Sequence, residues 1–188
     1  MSFVVFVALL LQFICSFFII LTGVIALYCL LSSKFMYESP PVPSCGKVKA
    51  AMIEDVAGVL AKRKNQVVMD LGSGWGSLLI PLAKRFPQHR FIGIEHAFIP
   101  YYVSRFRTKK MPNITFYRQN FFYTDISKAD IIFLFLLAHV MSKISVKCQK
   151  EAKKGALFYV NRFFIKNKKA QKEVSLGSKY NTYYVYKN

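Results

Sequence analysis

Residues 67–76 read Val67-Val68-Met69-Asp70-Leu71-Gly72-Ser73-Gly74-Trp75-Gly76, an apolar run that ends in a turn with three glycines in five positions. Glycine adopts backbone angles closed to other residues and lets a ligand approach the main chain closely. The stretch Ser77 to Phe86 that follows has the spacing of a helix. In a strand–turn–helix unit of this kind, ligands bind beyond the carboxyl end of the strand. The free N–H groups and positive dipole end of the helix suit a carboxylate or a phosphate. A dinucleotide fingerprint is spaced G-x-G-x-x-G. Here the spacing is G-x-G-x-G, with Asp70 two positions before Gly72.

Strands and helices alternate on either side of this turn. Upstream, Val48, Ala51, Met52, Val56, Val59 and Leu60 recur at helical spacing and predict a helix over 46–61, with Ser44 as its N-cap. Downstream, strands are predicted at 66–71, 90–95, 113–118, 130–136, 156–161 and 182–186, the last paired with 172–176 across Gly177-Ser178. Helices are predicted at 77–86, 96–109 and 138–153. The run Asp130 to Leu136 is apolar after its first residue, as a central parallel strand should be. This alternation predicts an α/β fold, a doubly wound Rossmann-like sheet.

Glu95 ends the second strand, 23 positions after Gly72. An acid at that place can accept hydrogen bonds from both hydroxyls of a ribose. The D-x-G-x-G-x-G turn and this carboxylate resemble the nucleoside site of class I methyltransferases that use S-adenosylmethionine. The resemblance runs from about Ser44 to the C-terminus and implies a seven-stranded sheet with an antiparallel last strand. It further implies that Asp70, Gly72, Ser73, Gly74 and Gly76 line the methionine end of the cofactor and that Glu95 holds the ribose. Asn120 stands where an Asp often meets the adenine amine, and its carbonyl could accept the same bond. The 27 residues after Asn161 are few for this family, so a helix usual there is expected to be missing.

A closer resemblance is to a group of small membrane-anchored protein-lysine methyltransferases, whose known members act on the c subunit of ATP synthase and on the adenine nucleotide translocase. It rests on Pro43-Ser44, Asp70 to Gly76, Gly93-Ile94-Glu95, Ser104-Arg105-Phe106-Arg107 and Phe116-Tyr117. The chain departs from that group in having Ala97-Phe98 where Asn-Pro is usual and Ala138-His139 where Pro-Gln is usual. Both departures leave the cofactor residues untouched.

The first 33 residues contain no Asp, Glu, Lys or Arg, and Phe3 to Leu31 is almost continuously apolar. A bilayer core takes about 20 such residues in a helix. A cleaved signal peptide would want a basic start, a shorter apolar core and a small-residue cleavage site, none of which is present. Residues 1–33 are therefore expected to form a single-pass membrane anchor. Residues 34–45, with Pro40, Pro41 and Pro43, should be a stiff linker, and 46–188 the methyltransferase domain. Lys34, Lys47 and Lys49 follow the span, which places the domain on the cytoplasmic side.

The formal net charge of +18 falls entirely on residues 34–188. Basic runs at 62–64, 109–110, 153–154 and 166–169 fit solvated faces and apposition to anionic headgroups. No nucleic-acid motif accompanies them, so no specific nucleic-acid partner is expected. The four cysteines show neither C-x-x-C nor zinc-ligand spacing, and no metal site is expected. His139, just past the fourth strand, could orient or deprotonate a substrate amine, or simply cap the next helix. Asp130 begins that strand and reads as structural. Trp75 is either a lid over the cofactor or core packing, and Tyr101, Tyr102, Tyr117 and Phe121 are either aromatic walls or core. The expected activity is lysine methylation on a membrane protein. The alternatives are methylation of a lipid or quinone-like molecule, and a non-catalytic membrane adaptor.

Overall fold

The computed structural model describes residues 3–35, 46–165 and 168–188. It divides into two units, 1–40 and 41–188. The first holds α1 (Phe3–Phe35), which continues two residues beyond the predicted anchor. Phe3–Tyr28 has a mean hydropathy of 2.9 and none of it is buried, so the helix is long and apolar enough to cross a membrane. Within it, the hydroxyl of Thr22 donates to the carbonyls of Phe18 and Ile19, which satisfies a polar group without water. Of the predicted linker at 34–45, residues 34–35 belong to α1, and the rest, with the Ser44 cap, lies outside the described residues.

The second unit begins with α2 (Gly46–Leu60) and β1 (Val67–Leu71). It continues through α3 (Leu79–Arg85), β2 (Arg90–Glu95), α4 (Phe98–Arg107) and β3 (Ile114–Arg118). Then come β4 (Ile131–Leu134), α5 (Ala138–Glu151), β5 (Leu157–Asn161), β6 (Lys172–Ser175) and β7 (Thr182–Lys187). The seven strands form one sheet in the order β3-β2-β1-β4-β5-β7-β6. β1 to β5 are parallel, whereas β7 runs antiparallel to β5 and to β6. After β3 at the edge the chain returns to the centre and lays β4 beside β1, which opens a crevice at the carboxyl ends of those two strands.

Alternating strand residues feed two cores. Val68, Ile131, Phe133, Tyr159 and Tyr183 pack beneath α2 and α3. Met69, Leu71, Ile132, Leu134, Phe158 and Val160 pack on α5 through Val140, Met141 and Ile144. Each large side chain so buried contributes about 1.5–3 kcal/mol. The amino-terminal edge of the sheet is tied by two polar side chains. The Asp130 carboxylate accepts from the Val67 N–H at 2.8 Å and pairs with Lys153 at 2.6 Å, the structural role expected of it. His89, 2% exposed, accepts from the Gln66 N–H and donates to the Leu60 carbonyl. Asp55 on α2 reaches across to Lys172 and to the Tyr183 hydroxyl, joining that helix to the antiparallel pair.

Several elements are shorter than predicted, and for β4 and α3 the cause is visible. β4 ends at Leu134, which pairs with both Leu71 and Val160. Beyond that rung β1 turns away into the glycine loop, and residues 135–136 lose their ladder on that side. α3 starts at Leu79 because Gly74 and Gly76 hold positive φ, +51° and +73°, which no right-handed helix can include. Among the described residues, the segment between β5 and β6 contains no helix. Instead the Ile165 N–H donates to the Tyr186 hydroxyl at 3.0 Å.

Candidate active site

The glycine loop leaves β1 and is fastened to β2. The N–H groups of Gly72 and Ser73 both donate to the Ile94 carbonyl at 2.9 Å. The Glu95 carboxylate spans two segments: Oε2 accepts from the Gly74 N–H and Oε1 from the Ala97 N–H, each at 2.7 Å. Two oxygens offer about four acceptor sites, so the carboxylate keeps capacity for a pair of hydroxyls. A Cβ added at Gly74 would meet nothing within 4 Å. That space lies open above the loop.

Asp70 lies below the turn and is 2% exposed, with Oδ1 unpartnered. Burial, and then the neighbouring Glu95 charge, push its carboxyl from an ordinary 3.8 up to about 8. Ser73 is also buried, and its hydroxyl has no partner. A buried polar atom without a partner is costly unless a ligand or water completes it. Unpartnered polar atoms within the turn, and a backbone left bare at Gly74, fit a small polar ligand seated on the loop. Glu95, the residue expected to hold the ribose, stands one strand over at the end of β2.

The loop's position is set by a residue that the motif does not contain. A Cβ on Gly76 would fall 2.8 Å from Cζ of Phe116 and 2.9 Å from Cδ1 of Ile80. A Cβ on Gly93 would overlap the same Phe116 ring and come within 2.8 Å of the Ser73 hydroxyl. Phe116, on β3 opposite Gly93, thus fills the space left by two glycines from different elements. An isolated glycine inside an apolar strand signals such close approach, and Gly93 is the sign the sequence offered.

The remaining predicted residues take varied places. The Asn120 side-chain carbonyl accepts from the Phe122 N–H at 2.9 Å and caps the short helical turn Phe121–Tyr123. A second lone pair on that oxygen is left for an adenine amine. His139 is exposed in the first turn of α5, just past β4. Trp75 is 45% exposed, so it is not core packing. Its carbonyl accepts from Arg107 at 2.9 Å. Tyr102 and Tyr117 point outward, Tyr101 is half-buried, and Phe121 packs on Phe122.

One further feature had no sequence signal. Asn161, the last residue of β5, carries a buried side-chain carbonyl without a partner. The next residue, Arg162, has φ +67°, and the Phe163 N–H folds back to the Asn161 carbonyl at 2.7 Å. Such a left-handed tight turn is rare for a residue with a side chain, and strain of this kind gathers at functional sites.

The strand order, the antiparallel β7 and a glycine loop clamped by a carboxylate on the neighbouring strand define a class I methyltransferase. Its cofactor is S-adenosylmethionine. The chain belongs to the ANTKMT methyltransferase domain family, which matches residues 70–172. It is 30% identical over 159 residues to a protein-lysine N-methyltransferase of Saccharolobus islandicus (strain REY15A), spanning 78% of this chain and 92% of that protein. Among solved structures, an RNA methyltransferase of Salinibacter ruber in complex with S-adenosyl-L-homocysteine superposes with a TM-score of 0.67 at 26% identity. That match covers 78% of this chain and 93% of the other.

Proposed function

We propose that the chain methylates the side-chain amine of a lysine on a membrane protein, held at the bilayer by α1 with its catalytic domain on the cytoplasmic side. The observation that carries the reading is the pairing of a carboxylate-clamped glycine loop with a 26-residue apolar, unburied span in one chain. The lysine class is supported by the name of the Saccharolobus relative. A tether raises the effective concentration of targets in the same membrane.

Bound S-adenosylmethionine supplies an electrophilic methyl group on a sulfonium. Glu95 would grip the ribose, Gly72 to Gly76 would pass beneath the methionine portion, and Asn120 would meet the adenine. A lysine must first lose a proton, since its reference pKa is about 10.4. His139, in the first turn of α5 just past β4, and Asn161, the last residue of β5, both follow the carboxyl ends of neighbouring parallel strands. In this reading the Asn161 carbonyl orients the substrate ammonium and His139 takes its proton. Neither role requires a metal.

The test is incubation of membranes with the full chain and cofactor labelled in the methyl group, followed by mass spectrometry of the labelled band. Parallel arms contain extracted lipid and purified RNA. Label on a lysine of an integral membrane protein is the expected result. Label confined to the lipid arm would favour the lipid or quinone alternative, and label in RNA would overturn the protein-substrate reading.

A further inference from the structure

We propose that α4 of the catalytic domain lies along the headgroup layer of an anionic bilayer, as a second membrane contact besides α1. The helix has one buried face and one bare face. Pro100 and Ser104 face inward, and the hydroxyls of Ser104 and Thr108 are satisfied by carbonyls of the same helix. On the other face Phe98, Tyr102 and Phe106 follow each other at i, i+4 and i+8, and are 52%, 47% and 70% exposed. Ile99, 39% exposed, widens the stripe. Residues four apart on a helix are neighbours, so these side chains make one continuous apolar ridge. Soluble domains seldom leave such a ridge uncovered without a use for it.

Cations surround the ridge. Lys109 Nζ sits 4.7 Å above the Phe106 ring, the Arg118 guanidinium 5.1 Å above the Phe98 ring, and Arg105 reaches the Tyr101 hydroxyl at 3.2 Å. Among the described residues, the ion pairs involve none of these three. From His96 to Thr124 the sequence contains no Asp or Glu and five Arg or Lys. The segment therefore carries charge of a single sign and suits an anionic partner.

Aromatic and basic side chains on one helix face are the composition of an interfacial helix, its rings at the acyl boundary and its cations among the phosphates. A nucleic acid would also answer the charge, but base stacking needs an open ring face. Here a cation already lies over one face of both Phe98 and Phe106. A bilayer makes no such demand. The same chain also carries a helix suited to crossing one.

Hydroxyl-radical footprinting of the full chain in nanodiscs tests the proposal, because it reads the solvent access of individual rings. Discs of phosphatidylcholine alone are compared with discs containing a third phosphatidylglycerol. Phe164 and Tyr180, 67% and 69% exposed and outside α4, serve as references. Oxidation of Phe98, Tyr102 and Phe106 should fall at least threefold in the anionic discs with the references unchanged. The combined variant Arg105→Glu, Lys109→Glu should restore it while cofactor binding, the check on folding, is kept. If that variant does not bind cofactor, restoration by 0.5 M salt in the native chain takes its place. A chain that co-purifies with the discs while its α4 rings oxidise equally in both overturns this proposal and leaves the tether standing. A chain that does not co-purify with anionic discs overturns both. Protection that appears only on adding RNA assigns the stripe to nucleic acid instead.

Discussion

The carboxylate of Glu95 and the backbone N–H of Gly74 meet at 2.7 Å, across two strands and 21 positions of sequence. The residue proposed to hold the ribose therefore also fixes the glycine loop. Glu95→Ala should weaken S-adenosylmethionine binding at least tenfold in calorimetry, since a hydrogen bond to a charged group is worth about 1.5–3 kcal/mol. Unchanged affinity in a folded variant would remove the ribose assignment.

Asp70 gives the protein a pH dependence with a defined sign. Its carboxyl stands at about 8 in the folded protein against an ordinary 3.8. Between those values the unfolded chain has released this proton while the folded chain keeps it. Asp70 therefore makes stability decline as pH rises from about 4 to about 8, with no further change above. The slope is at most about 1.4 kcal/mol per pH unit. Asp70→Asn removes the term. Thermal melts of detergent-solubilised protein from pH 5 to 8.5 should show the variant gaining steadily on the native chain, and parallel curves would contradict the assignment.

Gly93→Ala and Gly76→Ala should both destabilise, for different reasons. At Gly93 the obstacle is steric, from Phe116 and Ser73, and φ is ordinary. At Gly76 a positive φ of +73° adds backbone strain. Overpacking costs about 1–3 kcal/mol. Adding Phe116→Leu should recover part of the loss at Gly93 and less of it at Gly76. A double-mutant cycle with no coupling between positions 93 and 116 would show that the ring does not occupy that space.

Activity at the carboxyl edge should separate from cofactor binding. His139→Ala is expected to lower kcat by about a hundredfold or more, the range of a positioned proton acceptor, with cofactor affinity intact. Asn161→Ala is expected to raise KM for the protein substrate. Equal kcat and KM in both variants would leave neither residue a part in the reaction.

Asp130→Ala should cost stability but not catalysis. It leaves the Val67 N–H without its acceptor and Lys153 without its partner at the amino-terminal edge, away from the cofactor loop. An unsatisfied buried donor costs about 1–3 kcal/mol. Denaturant midpoints should fall while kcat/KM at low temperature stays near that of the native chain.

Most strand positions were legible because those strands are short, apolar and bounded by turn residues, and polar β6 from the turn signal at Gly177-Ser178; the cofactor loop was legible because only glycine tolerates its backbone. Element ends were less so. Where β4 stops depends on where β1 stops, and that is a property of the register. Asn161 and Arg162 carry no local sign at all: a left-handed turn at an arginine is imposed by the surrounding sheet. Phe116 reads as one more aromatic on a strand. Its function rests on its rung opposite Gly93, which pairing alone reveals.

That ring also constrains how such a chain can vary. Positions 76, 93 and 116 share one volume, so enlarging either glycine requires a smaller residue at 116 to arrive first. A shrunken 116 in turn leaves a void until one of the others fills it. Drift at the cofactor turn is thus coupled to an edge strand some 40 positions downstream. Homologues should be found with positions 93 and 116 exchanged in size together, while position 76 stays glycine for its positive φ.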